Sequence, residues 1–544
     1  LSVFFIGFSF AANDTSSSIS GSVNVPGATI TVEHVPTGST KSSVANDAGN
    51  FNFSGLRPGG PYVVTASAAG FNTERVDNVY LTLAESNSFD VVLVSSTAIE
   101  DVVVTGVRSG IVSSGPGSTI TEDDIALTAS IDKGLGDFLK RDSRFAIQGS
   151  FRDVQISALG ANNRYNNFTI DGVAANDPLG LNANGFASVR NPISVETLAQ
   201  IRVDFAPYSV TKGNFGGANI NAVTKSGTNE FSGKVYGYDT DQDNVGDVNG
   251  SPVNQFSDET KGFVFGGPII EDKMFFFVGY EESERFSPSN SQPIAAEDEA
   301  ELNELRDFLL QRYNYESGWP IFNAPPESQE QTLVKLDYNI NDNHRMALIY
   351  NFLDASKDKP AHPTALGFRG PNASILQFEN SGYQINNKLN SVQMELNSTL
   401  SSAVSNKLQI GYSHFDDFRN PMSSPAPAMT IQDGAGANYI IVGHEPFSIN
   451  NRLDQKVMQL TNNLTFVKGE HTYTLGFSYE KFEFDNSFNL GVYGYGDSRG
   501  YAGAFGAFGS VSEFSDAISN DLIRDAISAA QATFDANSWS LAET

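Results

Sequence analysis

Over the second half of the chain, apolar and polar positions alternate with a period of two. Val334, Leu336, Tyr338 and Ile340 alternate with Lys335, Asp337 and Asn339. Val392, Met394 and Leu396 alternate with Gln393 and Glu395, and Leu408, Ile410 and Tyr412 with Gln409, Gly411 and Ser413. Met458, Leu460, Leu464 and Phe466 share one parity, as do Tyr473, Leu475, Phe477 and Tyr479. This period predicts strands with unlike faces. About nine fit, near 230–240, 259–267, 273–284, 331–340, 344–353, 387–397, 404–416, 456–467 and 471–484. Most are about ten residues long, the length a tilted strand needs to cross a bilayer.

The connections decide between a soluble sandwich and a membrane barrel. Residues 266–272, 341–343, 398–403 and 468–470 form short links, whereas 241–258, 285–330, 354–386, 417–455 and everything after 485 are long. Short turns on one side and long loops on the other are the pattern of an outer-membrane barrel. Tyr280, Tyr350, Tyr412, Tyr473 and Tyr479 are placed to form its aromatic girdles. The strand MFFFVGY, residues 274–280, is bulky on both faces. Either Met274, Phe276, Val278 and Tyr280 or Phe275, Phe277 and Gly279 meet lipid, and the other set packs inward against an apolar filler.

Upstream, the texture changes twice. Residues 18–95 carry short apolar runs (ISGSVNV, ATITVEHV, FNFSGL, YVVTASA, FDVVLV) divided by Gly and Pro turns. That spacing predicts a small β-sandwich. Residues 111–225 mix short strands with Gly/Asn loops and two helical stretches, one opening at Thr121 ahead of three acids and one over 133–140. Between them, in the linker 96–110, lies an apolar island: Asp101, Val102, Val103, Val104, Thr105, Gly106 and Val107. A β-prone strip in a linker can add itself as a strand to a partner's sheet. The alternative is an edge strand of the sandwich.

Composition narrows the functional classes. Against 34 Lys and Arg stand 63 Asp and Glu, a net charge of −29, which argues against nucleic-acid binding. There is no cysteine, so no disulfide and no thiolate metal site. No run of eighteen apolar residues exists, which excludes a helical membrane protein. The opening LSVFFIGFSFAAND reads as the back half of a secretory signal, so residues 1–17 are expected to be residual signal peptide and linker.

At this point longer motifs carry a resemblance. GSVNVPGATITVEHVPTGSTKSSVANDAGNFNFSGLRPGGPYVVTASAAGF resembles the carboxypeptidase regulatory-like, transthyretin-like domain, which is non-catalytic in peptidases. NNRYNNFTIDGVAANDP, PISVETLAQIRVDFAPYSVTKGNFGGANINAVTKSGTNEFSGKVYGY and GGPIIEDKMFFFVGYEES resemble the Oar-like group of TonB-dependent outer-membrane receptors. The resemblance implies a mainly β chain: an N-terminal sandwich, a mixed α/β plug at 111–225, and from 226 to 544 the first part of an antiparallel transmembrane barrel. About nine of roughly 22 strands are expected, in the size class whose lumen is plugged. The chain is therefore expected to be a fragment.

The resemblance further implies a receptor in the outer membrane of a Gram-negative bacterium, with its N-terminal domain in the periplasm. Such a receptor binds a scarce ligand outside and imports it with energy delivered by TonB, with ExbB and ExbD as partners. An export or adhesion role is the alternative. The strip 101–107 sits where the family's TonB box sits. Asn162, Asn163, Arg164 and Tyr165, before the strand FTIDGV, are candidate ligand contacts, although Asn side chains in such loops also bond their own backbone.

No enzyme motif stands out, and no cofactor is expected. The six histidines are scattered, and no GxSxG or P-loop occurs. DTDQDNVGD, residues 239–247, has acids at calcium-loop spacing, but Asn244 and Gly250 stand where the loop needs Gly and Glu, so a solvated loop is expected. Glu281, Glu282 and Glu284 are expected at a solvent-facing rim.

Overall fold

The computed structural model describes residues 14–96, 107–286, 296–360, 376–489, 504–508 and 522–536. Within these, 84, 113–114, 129, 131–132, 149–153, 178–181, 183, 214, 248–249, 254, 320–325, 446–447, 449 and 469–470 are excepted. The proposed signal segment falls almost wholly outside the described residues. Its end does not remain a free linker: Asp14 and Thr15 are engaged by other parts of the molecule, and Ser17 opens the first strand.

Seven strands build the N-terminal sandwich: β1 (Ser17–Val23), β2 (Thr29–His34), β3 (Ser39–Val44), β4 (Asn50–Leu56), β5 (Gly59–Ser67), β6 (Glu74–Leu81) and β7 (Ser86–Val91). One sheet runs β3-β2-β5-β6. The other runs β4-β1-β7 and gains an edge strand, β8 (Val107–Val112). Alternate residues point between the sheets, so Ile19, Ile30, Val32, Phe51, Phe53, Val64, Leu81 and Phe89 make one closed core. That core includes no residue from outside the sandwich.

A second, inner unit follows. Its sheet runs β13-β12-β15-β14-β9, from β9 (Gly117–Thr121), β12 (Asn167–Ile170), β13 (Val173–Ala174), β14 (Leu198–Asp204) and β15 (Asn219–Thr224). A small ladder joins β10 (Phe145–Gln148) to β11 (Gln155–Ala158). Helix α1 (Glu122–Leu127) starts on a capping box between Thr121 and Asp124. Helix α2 (Leu135–Leu139) buries Leu135, Phe138 and Leu139 in the unit's own core with Phe168, Ile201 and Ile220. It is shorter than the expected 133–140.

The remaining long strands form one antiparallel sheet. They are β16 (Ser232–Asp241), β17 (Ser257–Ile270), β18 (Met274–Phe286), β19 (Glu327–Asn341) and β20 (His344–Lys359). After the two-residue β21 (Leu376–Gln377) come β22 (Tyr383–Ser401) and β23 (Val404–Pro421). Then β24 (Ala428–Gln432) and β25 (Asn438–Val442) precede β26 (Asn451–Lys468) and β27 (His471–Ser487). The nine-stranded order is β16-β17-β18-β19-β20-β22-β23-β26-β27, and among the described residues no strand pairs with the outer edges of β16 and β27. All nine expected strands are present, most longer than the alternation suggests.

Burial across this sheet is inverted relative to a soluble protein. Tyr350, Val392, Tyr412 and Met458 line up across four strands and are exposed, Val392 by 46%. On the opposite face Lys335, Asp337, Gln393, Glu395, Gln409, Gln459 and Thr461 are buried. An apolar face with no protein on it needs lipid, and a polar face turned inward needs a polar filler. The MFFFVGY strand is resolved the same way: Phe275 and Phe277 are buried, whereas Met274, Phe276, Val278 and Tyr280 lie on the outer face. A direct consequence is testable. Val392→Arg, near the middle of its strand, should cost about 2–4 kcal/mol in a bilayer, and Leu400→Arg beside the turn only about 0–1 kcal/mol. Urea unfolding from lipid vesicles measures both; equal small costs would indicate that water covers this face.

The long loops are not structureless. Helix α3 (Ala296–Tyr313), β21, β24, β25, β28 (Ala504–Phe508) and helix α4 (Leu522–Ala536) belong to the loop side. Strands from separate loops pair in the order β21-β25-β24-β28. Leu302, Leu309, Tyr315, Phe378, Met429, Ile431, Ile440 and Val442 form a core of their own, and the connections become a folded cap.

Candidate functional site

The candidate site is the polar space between the inner unit and the barrel wall. The hairpin β12–β13 turns on Asp171-Gly172, both with positive φ, as a two-residue Asp-Gly turn requires. The Asp171 carbonyl accepts hydrogen bonds from wall residues Gln393 at 3.2 Å and Gln409 at 2.7 Å. Its carboxylate accepts from the Thr224 backbone N–H and hydroxyl, at 3.0 and 2.7 Å. Lys335 of the wall donates to the Thr224 carbonyl at 3.1 Å. Where the wall must admit the inner unit closely it uses glycine: a Cβ on Gly279 would lie 2.5 Å from Thr197 Cγ2.

Farther toward the loop side, Asp258 of the wall pairs with Arg190 of the inner unit at 3.2 Å and with Arg285 at 3.3 Å. Ser188 donates to Gln329, and Gln329 and Gln331 donate to the Asn191 carbonyl. Glu281 accepts from Ser194 and Tyr236, so it faces the inner unit rather than a solvent rim. The sequence could not show this, because both donors lie more than forty residues away. Among the described residues an apolar patch joins the two parts, Ala187 and Val189 against Leu353, Ala355, Ile385, Leu389 and Phe415. Most of the remaining contacts are polar.

The candidate ligand residues sit in the short helical turn Asn163–Tyr165. Asn162 caps it by accepting from the Arg164 N–H at 3.0 Å, so its side chain does serve its own backbone. Asn163 is buried beside Gly185. Arg164 and Tyr165 are exposed, Tyr165 by 61%. The structure thus brings Arg164 and Tyr165 to the surface of the inner unit and turns Asn163 inward.

Positions 101–106 of the apolar strip lie outside the described residues. Val107 takes the alternative placement, an edge strand of the sandwich. It opens β8 opposite Asp90, because the sandwich sheet has a free edge at β7 to accept it. In the acidic loop, Asp241 accepts from the backbone of Asp243 and Asn244, and among the described residues no group of side chains has the makings of a metal site.

On the short-turn side the sandwich meets both other parts. Arg57 pairs with Asp337 of the wall at 3.2 Å, and Gln200 of the inner unit bonds the sandwich backbone at Leu81 and Leu83. His34 lies in this region. Burial, with Arg57 and Arg345 nearby, lowers its pKa to about 3. A lowered basic pKa means that the unfolded chain takes up the proton first. Stability is therefore retained above pH ~6.5 and falls as pH drops from there toward 3. Thermal unfolding of His34→Gln should show a weaker fall over that window than wild type.

Two family comparisons bear on this architecture. The carboxypeptidase regulatory-like domain matches residues 18–94. The outer membrane beta barrel domain matches residues 223–308 and 311–542, more than half of the chain. The chain belongs to the outer-membrane β-barrel family. Its place is the outer membrane of a Gram-negative bacterium, in agreement with the inverted burial of its wall. It is 28% identical over 221 residues to the TonB-dependent transporter Oar of Myxococcus xanthus, an alignment covering 36% of this chain and 19% of that protein. Among solved structures it is similar to the outer membrane transporter YddB from Escherichia coli, with TM-score 0.47 and 14% identity over 67% of this chain and 47% of that one. The siderophore receptor PirA from Acinetobacter baumannii gives 0.45 and 13% over 68% and 48%. The chain thus spans about half the length of these solved relatives.

Proposed function

We propose that this chain is part of an outer-membrane receptor that binds a scarce extracellular ligand and imports it with energy delivered through TonB. The observation that supports it is the inner unit held against an inward-facing polar wall largely by hydrogen bonds and ion pairs. On this reading the inner unit is the plug. A plug that has to move is better served by such contacts than by a continuous apolar core, because water can replace hydrogen bonds as the surfaces part. The periplasmic partner is TonB with ExbB and ExbD, and the sandwich lies in the periplasm with the short turns.

Arg164 and Tyr165 are the proposed ligand contacts, with Asn162 and Asn163 shaping the turn that carries them. The test is one experiment with two arms in the full-length receptor. Growth of a deletion strain on candidate nutrients and iron sources first supplies the ligand. Removal of residues 101–106 should then abolish uptake and leave binding intact. Arg164→Ala with Tyr165→Ala should weaken binding itself. Uptake that survives loss of 101–106 would remove that strip as the coupling site, and an intact receptor with no ligand-dependent uptake would favour an export or adhesion role.

A further inference from the structure

The sandwich bridges two bodies that a moving plug would have to separate, and its two seams are built differently. On the inner-unit side, both ends of the Gln200 amide are used: its oxygen accepts from the Leu83 N–H at 2.8 Å and its nitrogen donates to the Leu81 carbonyl at 3.0 Å. Arg202 bonds Glu85 of the sandwich at 2.5 Å and also holds Asp204 and Thr119. Each of these buried side chains has its hydrogen-bonding capacity engaged.

The wall side is looser. Arg57 reaches from the sandwich's β4–β5 turn to Asp337 with one nitrogen and lies 5.6 Å over the Phe275 ring. Its Nε and Nη1 are buried without a hydrogen-bond partner, and so is Nε of the neighbouring Arg345. Lys41 reaches Thr399 at 3.2 Å, and Thr15 donates to Glu395. A cavity of about 440 Å³ lies where the three parts meet, lined by Arg57, Asp337, Arg345 and Glu395 at the wall seam and by Leu81 and Gln200 at the inner-unit seam. Among the described residues no buried apolar cluster crosses either seam, so polar contacts carry both. A buried ion pair with unsatisfied donors recovers little of its desolvation cost, so the contact is specific but weak.

We propose that the sandwich is a latch on the barrel's inner mouth, pinned by Arg57, and that it releases the wall before it releases the inner unit. Sandwich and inner unit then leave the wall together. This requires no assumption about ligand or energy source.

The chain contains no cysteine, so paired spin labels report distances without background. Val44→Cys with Asp342→Cys spans the wall seam, and Val44→Cys with Tyr208→Cys spans the inner-unit seam. Pulsed electron paramagnetic resonance on the full chain in lipid nanodiscs follows both through a urea titration. The wall-seam distance should lengthen at lower urea than the inner-unit distance. Arg57→Gln should lower the first midpoint and leave the second in place, with Arg57→Lys between. Coincident midpoints, earlier loss of the inner-unit seam, or an equal shift of both by Arg57→Gln would each overturn the proposal. The order of the wild-type midpoints decides even if the Arg57 variants fold poorly.

Discussion

Val103→Pro in the full-length receptor is expected to abolish energised transport and to leave ligand binding at the cell surface unchanged. Val102, Val103 and Val104 form a β-branched strip, and strand addition works through backbone N–H and C=O groups. Proline removes one donor and fixes φ. Val103→Ala keeps both backbone groups and removes only side-chain contact, so its loss should be much smaller. Backbone pairing therefore predicts a wide gap between the two variants, whereas a side-chain contact predicts similar losses. The placement of β8 sets where a pull on the strip would act. The strip joins β7 of the sandwich to β8, and β8 leads to β9 at the edge of the inner unit's sheet. A pull on 101–106 therefore acts on both units at once. Ligand-dependent uptake in a deletion strain complemented with each variant gives the comparison; full uptake by the proline variant would remove the strip from the mechanism.

The middle of each wall strand was legible in the sequence because one face must be apolar and the other polar. The ends were not. Past Leu353, β20 continues through Ala355, Ser356, Lys357 and Asp358 to Lys359, paired residue by residue with β22. Little on either face there is apolar, so the period disappears while the ladder goes on. The cap was missed for another reason. Met429, Ile431, Ile440 and Val442 are short apolar runs whose partners, such as Leu302 and Phe378, lie in other loops. The interior of the inner unit resisted reading because its buried faces carry polar residues. Asn167 meets Asn219, and Thr169 meets Asn221, across 52 positions of sequence. Arg57 gave no signal at all. In LRPGG it looks like part of a solvated turn, and only the docked wall gives it Asp337.

Asp204→Ala is expected to cause the largest loss of stability in the inner unit. Asp204 ends β14, between β15 and β9, and its side chain is 1% exposed. It receives Arg202 Nε at 2.9 Å and Lys212 Nζ at 2.5 Å, and both cations are themselves almost fully buried. Removing the carboxylate leaves two buried positive charges. Arg202 keeps Glu85, and among the described residues Lys212 keeps only Asp14 at 3.6 Å. Breaking a buried pair from one side costs about 3–5 kcal/mol, because the remaining charge is neither solvated nor neutralised. Asp204→Asn keeps an acceptor oxygen and should cost less. At the exposed Arg75–Asp77 pair, Asp77→Ala should leave stability unchanged. Hydrogen exchange at the amides of β9 and β14 is the suitable measurement, since it reports this sheet apart from the wall. Native-like protection in Asp204→Ala would show that the cluster contributes little. Because Asp204 fixes the guanidinium that holds Glu85, the same substitution should leave that contact less firmly positioned and raise exchange at Leu83 as well.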